Sequence, residues 1–182
     1  MDAIQSGALE ARCLGLIADR EDRGCVVRAQ AAGLPTVIVE RLKGGEREEY
    51  DRRVDEAISG LAKHSKEQKL IIACMGWMFI FSPWFVARWN NRILNVHPAL
   101  LPRHPGGHAI EDALAAGETE TGMTIHWIDE GVDTGKIIEQ KKCSILSDDT
   151  LETLKERIQD LEKEWYPKVL QGLQTGELSI EN

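Results

Sequence analysis

The chain has 182 residues, 42% of them hydrophobic, which is material for one domain with a sizeable core. Its formal net charge is −8, with the acidic residues spread along helical stretches and no basic block. That argues against nucleic acid as a partner, because phosphate binding needs clustered Lys and Arg. No apolar run reaches membrane-spanning length, and the first residues lack the charged-then-apolar layout of a signal peptide, so no membrane association and a cytoplasmic location are expected.

Residues 1–9 read as the last turns of a helix stopped by Gly7, and residues 11–18 (ARCLGLIA) as an apolar strand. A short helix over residues 26–32, closed by Gly33, leads into a strand at 36–39. Strand, helix, strand of this kind suggests parallel crossovers. From 46 to 61 the apolar residues Tyr50, Val54, Ala57, Ile58 and Leu61 mark one face of an amphipathic helix. Residues 69–75 (KLIIACM) then read as a strand buried on both faces. The loop after it, residues 76–83 (GWMFIFSP), carries large apolar side chains that either finish the core or line a pocket. A short helix follows at 84–89 and a strand at 92–96.

Beyond Pro102 come the turn RHPGGH and a helix to Ala116 closed by Gly117. Residues 121–128 and 136–145 alternate apolar and polar and read as strands, joined by a loop with three carboxylates, residues 129–135 (DEGVDTG). The last long helix is expected from Asp149, with Glu152 as its capping pair, and Pro167 is expected to kink or end it. Cys13, Cys25, Cys74 and Cys143 are widely separated and include no C-x-x-C pair, so neither a zinc site nor a disulfide framework is implied. Their apolar neighbours suggest buried thiols.

The octapeptide NVHPALLP at 95–102 carries the chemistry. It places a carboxamide, Asn95, and an imidazole, His97, two residues apart at the end of a strand, where alternation points both to one face. Fixed loops at the carboxyl ends of strands are where ligands and catalytic groups collect in α/β sheets. The same residues also fit a strand end with a solvated histidine. Asn95 can donate to a developing oxyanion and His97 can exchange a proton near neutral pH. A carboxylate such as Asp133, if brought close, would favour the protonated imidazole and could relay a proton; taken alone it reads better as an ordinary turn aspartate before Gly135. Together the three suit acyl transfer to an amine.

The segment NVHPALLPRHPG, followed by GMTIHWIDEGVDTGKII, resembles the signature of the folate-dependent formyltransferases, and the likeness extends to LIADREDRGCVVRAQAAGLPTVIV and LEKEWYP. The branch of that family acting on glycinamide ribonucleotide is the most similar. The resemblance implies a three-layer α/β fold, a mostly parallel twisted sheet with helices on both faces and a Rossmann-like N-terminal half. It implies one domain over residues 1–182, with a nucleotide-binding-like half at 1–90 and a catalytic and folate-binding half at 91–182.

The implied activity is transfer of a formyl group from 10-formyltetrahydrofolate to the amine of glycinamide ribonucleotide in de novo purine biosynthesis. The implied partners are these two small molecules, without metal, on a monomer or homodimer. Methionyl-tRNA and amino-sugar formyltransferases share the DEGVDTG-like loop and stand as alternatives, as does a folate-binding remnant without turnover. By the same resemblance Asn95, His97 and Asp133 are catalytic, and His108 helps to position Asp133. Thr124 and His126 lie on a strand beside the site. Met78, Phe79, Ile80 and Phe81 line the folate pocket, Ile128 sits near the pterin, and Glu162 contacts the substrate ribose.

Two features depart from the family pattern. Phe79 stands where the ribonucleotide enzymes commonly carry arginine, and a phenyl ring cannot supply a guanidinium's fork of donors. The family's first strand and glycine-rich phosphate loop are also expected to be missing, which would leave strand edges unpaired. A misplaced start, a degenerate paralogue or another segment filling the gap would each account for it.

Overall fold

In a computed structural model, residues 1–63, 65 and 70–178 are described. They fall into two compact units. The first contains residues 12–70 and 81–88, and the second residues 2–11, 71–80 and 89–182. Residues 71–80, expected with the N-terminal half, belong to the second unit, where their strand pairs with the strand at 93–97.

In the first unit, β1 (Leu16–Ala18) and β2 (Thr36–Ile38) pair in parallel, joined by α2 (Gly24–Ala31). β1 is shorter than the strand expected at 11–18. Gly15 lies against the Pro35 carbonyl, where a Cβ would come within 2.8 Å. The amphipathic helix is α3 (Arg47–Ala62), and it buries Tyr50, Asp51, Val54 and Ile58. Asp51 is buried because it accepts a hydrogen bond from the Ser82 N–H at the start of α4 (Pro83–Arg88), while the Ser82 hydroxyl accepts from Phe85 N. A buried carboxylate satisfied in this way acts as a helix cap supplied by a neighbouring helix.

The second unit opens with α1 (Asp2–Gln5) and is built on a four-stranded sheet. Its order is β3 (Ile72–Cys74), β4 (Ile93–His97), β5 (Glu120–Trp127), β6 (Ile137–Ser144). β3 and β4 are parallel; β4–β5 and β5–β6 are antiparallel. The sheet is therefore mixed, with parallel pairing only at the N-terminal side. β3 is not the doubly buried strand expected at 69–75, for Ala73 is exposed and, among the described residues, only β4 pairs with it; Lys69 lies outside the described residues. Among those residues β1 likewise pairs only with β2.

One face of β4 and β5 presents Leu94, Val96, Met123, Ile125 and Trp127 to α6 (Leu151–Thr175), whose Leu154, Ile158, Val169 and Leu173 complete the core with Ile110 of α5 (Ala109–Ala115). The capping pair of α6 is Thr150 with Thr153, not Asp149 with Glu152. Each threonine hydroxyl accepts from the other's backbone N–H, while Asp149 is taken up by Arg157. Pro167 neither ends nor breaks α6, which continues to Thr175. Tyr166, Val169 and Leu173 are buried on either side of the proline, and that packing outweighs the lost backbone bond.

The cysteines differ from expectation as well. Cys74 is buried and Cys143 half-buried, but Cys13 and Cys25 are exposed, since the segment before β1 and the first turn of α2 lie at the surface.

Candidate active site

Strand register builds the site. Across the antiparallel pair, Asn95 of β4 lies opposite His126 of β5, and His97 opposite Thr124. Because side chains alternate along a strand, all four share the face opposite the hydrophobic core. A register irregularity between Ile125 and His126 puts His126 across from Ile137 while Ile125 faces Glu139, a bulge at the end of β5 beside the site.

Asp133 reaches the same face from the loop after β5. Its backbone is left-handed, at φ 54°, a region that Asp tolerates better than most residues. Two neighbours hold the loop. Asp129 accepts from Gly131 N and from the Thr134 hydroxyl. At Gly135 any Cβ would fall 1.8 Å from the Trp127 carbonyl oxygen, so only glycine fits. The Asp133 carboxylate accepts a hydrogen bond from Gly106 N at 2.7 Å and lies 3.3 Å from His97 Nδ1 and 3.5 Å from His126 Nε2.

The backbone carbonyls settle the imidazole tautomers. His97 Nε2 is 2.7 Å from the His104 carbonyl oxygen, which can only accept, so Nε2 carries the proton and Nδ1 is left facing Asp133. His126 Nδ1 donates to the Trp127 carbonyl at 2.9 Å. Its Nε2, while neutral, accepts from Asn95 Nδ2 at 3.2 Å. It cannot accept from Asn95 and donate to Asp133 at once, and Asn95 is the nearer.

Burial pushes the His97 pKa below 6.5, although the Asp133 charge and the His104 carbonyl pull the other way. Burial pushes the Asp133 carboxyl up, but the hydrogen-bond donors around it, the Gly106 N–H among them, outweigh that and hold the group below the ordinary carboxylate value. The resting state is thus a neutral His97 beside an ionised Asp133. That pair can take up a proton at one point, while the Asn95 carboxamide donates beside it.

Thr124 serves the loop instead of the pocket. Its hydroxyl donates to the Ala99 carbonyl at 2.6 Å and accepts from Leu101 N at 3.1 Å and from Gln140 Nε2 at 2.9 Å. His108 is not brought to Asp133: it is exposed at the N-cap of α5, where the double-glycine turn carries it outward. The neighbour expected there is supplied by His126, which is buried at 1% exposure. The signal available in the sequence was its place on an alternating strand, on the same face as Thr124.

Of the residues expected in the folate pocket, Met78 and Ile80 are exposed apolar side chains, at 66% and 46%, and the Met78 methyl lies against Gly107 of the site loop. Phe79 packs edge-on against Trp77, ring centroids 5.5 Å apart. Ile128 is half-buried, its N–H bonded to the Ile93 carbonyl at 2.9 Å. Phe81 is instead stacked on Phe85 at 4.5 Å and 5% exposed, part of the core of the first unit. Glu162 lies half-buried on α6, and burial raises its carboxyl to about 7, against the opposing charges of Lys163 and Lys155.

The chain is similar to known proteins. The chain is 39% identical over 181 residues to the trifunctional purine biosynthetic protein adenosine-3 of Drosophila pseudoobscura pseudoobscura, covering 98% of this chain but only 13% of that much longer protein. It is 35% identical over 158 residues to the phosphoribosylglycinamide formyltransferase of Bacillus subtilis, covering 87% of this chain and 78% of that one. The crystal structure of phosphoribosylglycinamide formyltransferase from Bacillus halodurans superposes with a TM-score of 0.86 at 35% identity, covering 94% of this chain and 86% of that one. The family model described as formyl transferase matches residues 1–170, and the chain belongs to that family.

Proposed function

We propose that this protein transfers the formyl group of 10-formyltetrahydrofolate to the amine of glycinamide ribonucleotide. The observation that carries the reading is the convergence of Asn95, His97 and Asp133 on one face, with His126 between Asn95 and Asp133. In the proposed step the substrate nitrogen bonds to the formyl carbon. One Asn95 Nδ2 hydrogen is engaged by His126, and the second donates to the oxygen as it gains charge. His97, neutral at rest, supports that charge once its Nδ1 takes up the proton released by the attacking amine, beside Asp133. Asp133 accepts the ammonium proton, shares it with the facing His97 Nδ1, and the same proton passes to the folate nitrogen as its bond to the formyl carbon breaks, which completes the transfer.

Exposed apolar side chains are costly unless a ligand covers them, and Met78 and Ile80, with Ile128, suit a flat aromatic group such as a pterin. Glu162, with its carboxyl close to neutrality, suits hydrogen bonding to ribose hydroxyls. The reading places the protein in the cytoplasm.

A formyl-transfer assay with the two substrates tests it on wild type, Asp133→Asn and His97→Ala. Turnover that falls by about a hundredfold or more in both variants is expected. Undiminished turnover in both would overturn the assignment.

A further inference from the structure

The carbonyl that fixes the His97 tautomer is itself held by a chain of side chains with no part in the reaction above. His104 adopts a left-handed backbone, at φ 51°, which turns its carbonyl toward His97. Residues other than glycine are uncommon in that region, and although histidine is among those that tolerate it, a side-chain bond favours it there. Here the side chain makes such a bond: His104 Nε2 lies 2.9 Å from Glu118 Oε1. A carboxylate only accepts, so the imidazole donates. The other carboxylate oxygen, Oε2, accepts from Arg103 NH1 at 2.8 Å. Glu118 follows α5, its own N–H bonded to the Ala113 carbonyl at 3.3 Å, and its side chain is only 20% exposed. Glu118, itself held by Arg103, thus grips His104 from the turn that closes α5, and His104 in turn grips His97.

We propose that Glu118 is a positioning residue for formyl transfer: by clamping the His104 side chain it fixes the backbone carbonyl that keeps the proton on His97 Nε2 and leaves Nδ1 free beside Asp133. The inference rests on the role given to His97 above. It makes the RHPG turn and the glutamate after Gly117 one functional unit, although they lie 14 residues apart in the chain. Without the clamp His104 can relax, its carbonyl swings away, and the neutral imidazole populates both tautomers.

The test is made on the full chain labelled with 15N at histidine, by long-range 1H–15N correlation at about pH 7.5, where a histidine with a lowered pKa is neutral. Wild type is expected to show His97 as a single Nε2–H tautomer. Glu118→Ala is expected to show a mixture. Glu118→Gln keeps one acceptor for His104 and is expected to restore the single form. His104→Phe removes the same bond from the other side and must give the same mixture, which keeps the test decisive if Glu118→Ala fails to fold.

In the formyl-transfer assay Glu118→Ala is expected to lower kcat about tenfold with both KM values within about twofold, as displacement of a proton-transfer group does. An unchanged His97 tautomer in Glu118→Ala and His104→Phe overturns the proposal, as does a change in KM alone. A wild type that shows the single tautomer without formyl transfer would overturn the proposed function, while the clamp itself would still be judged by the spectra.

Discussion

The Tyr166 hydroxyl lies 2.9 Å from the carbonyl oxygen of Leu94, the residue immediately before Asn95, and 3.2 Å from that of Cys74 on the neighbouring strand. One buried phenol on α6 therefore ties β3 and β4 together at the level of the site. Burial, with Cys74 and Glu162 nearby, raises its pKa well above that of a free phenol, so it stays a donor. Replacing Tyr166 with Phe keeps the packing and removes the donor, leaving the Leu94 carbonyl without it. A loss of about 1–2 kcal/mol in unfolding free energy is expected, measured by urea denaturation.

Thr124 offers a sharper case. Its hydroxyl serves Ala99, Leu101 and Gln140, and the site is fully buried. Thr124→Val is nearly the same shape but leaves the Leu101 N–H and the Ala99 carbonyl unsatisfied. A destabilisation of about 2–4 kcal/mol is expected, together with weaker protection of the Leu101 amide in hydrogen exchange.

The titration of His97 follows from its neighbours. Burial lowers its pKa, and the Asp133 charge opposes that fall. In Asp133→Asn the opposing charge is gone, so the NMR titration midpoint of His97 is expected to move lower still. Since the neutral form is the one favoured by folding, this histidine lowers stability as pH falls through its unfolded value of 6.5, and more so in the variant.

Glu162 acts in the other direction. Its carboxyl is raised to about 7 from an ordinary value of 4.5, so the folded protein binds the proton more tightly than the unfolded chain. Its contribution is present in full below 4.5 and is lost as pH rises toward 7. Glu162→Gln removes that dependence. Over this window the melting temperature of wild type is expected to drop relative to the variant by a few degrees, for a difference of order 2 kcal/mol.

Much of this was legible in the chain. The octapeptide around Asn95 and His97 sits at a strand end, and strand alternation alone puts the two side chains on one face, as the structure has them. The amphipathic pattern of α3 needed no tertiary information, because its stripe repeats with the period of the helix. The DEGVDTG loop could be marked as carrying carboxylates, but its reach could not. Asp133 meets His97 only because β5 lies antiparallel to β4, a pairing fixed by burial of Leu94, Ile125 and Trp127 against α6.

Other features were set entirely by long-range packing. Local rules expected Pro167 to kink or end α6, yet the helix continues through it to Thr175, packed against residues far away in sequence. Phe81 and Met78 look alike in an apolar loop, but one is buried and the other exposed. Of the two histidines, His108 is exposed while His126 is buried beside Asn95 and Asp133. A sequence lists which groups can ionise or donate, and periodicity says which share a face. Which carbonyl faces which imidazole nitrogen, and so which nitrogen keeps its proton, depends on backbone groups that carry no side-chain signature, and only the tertiary structure decides it.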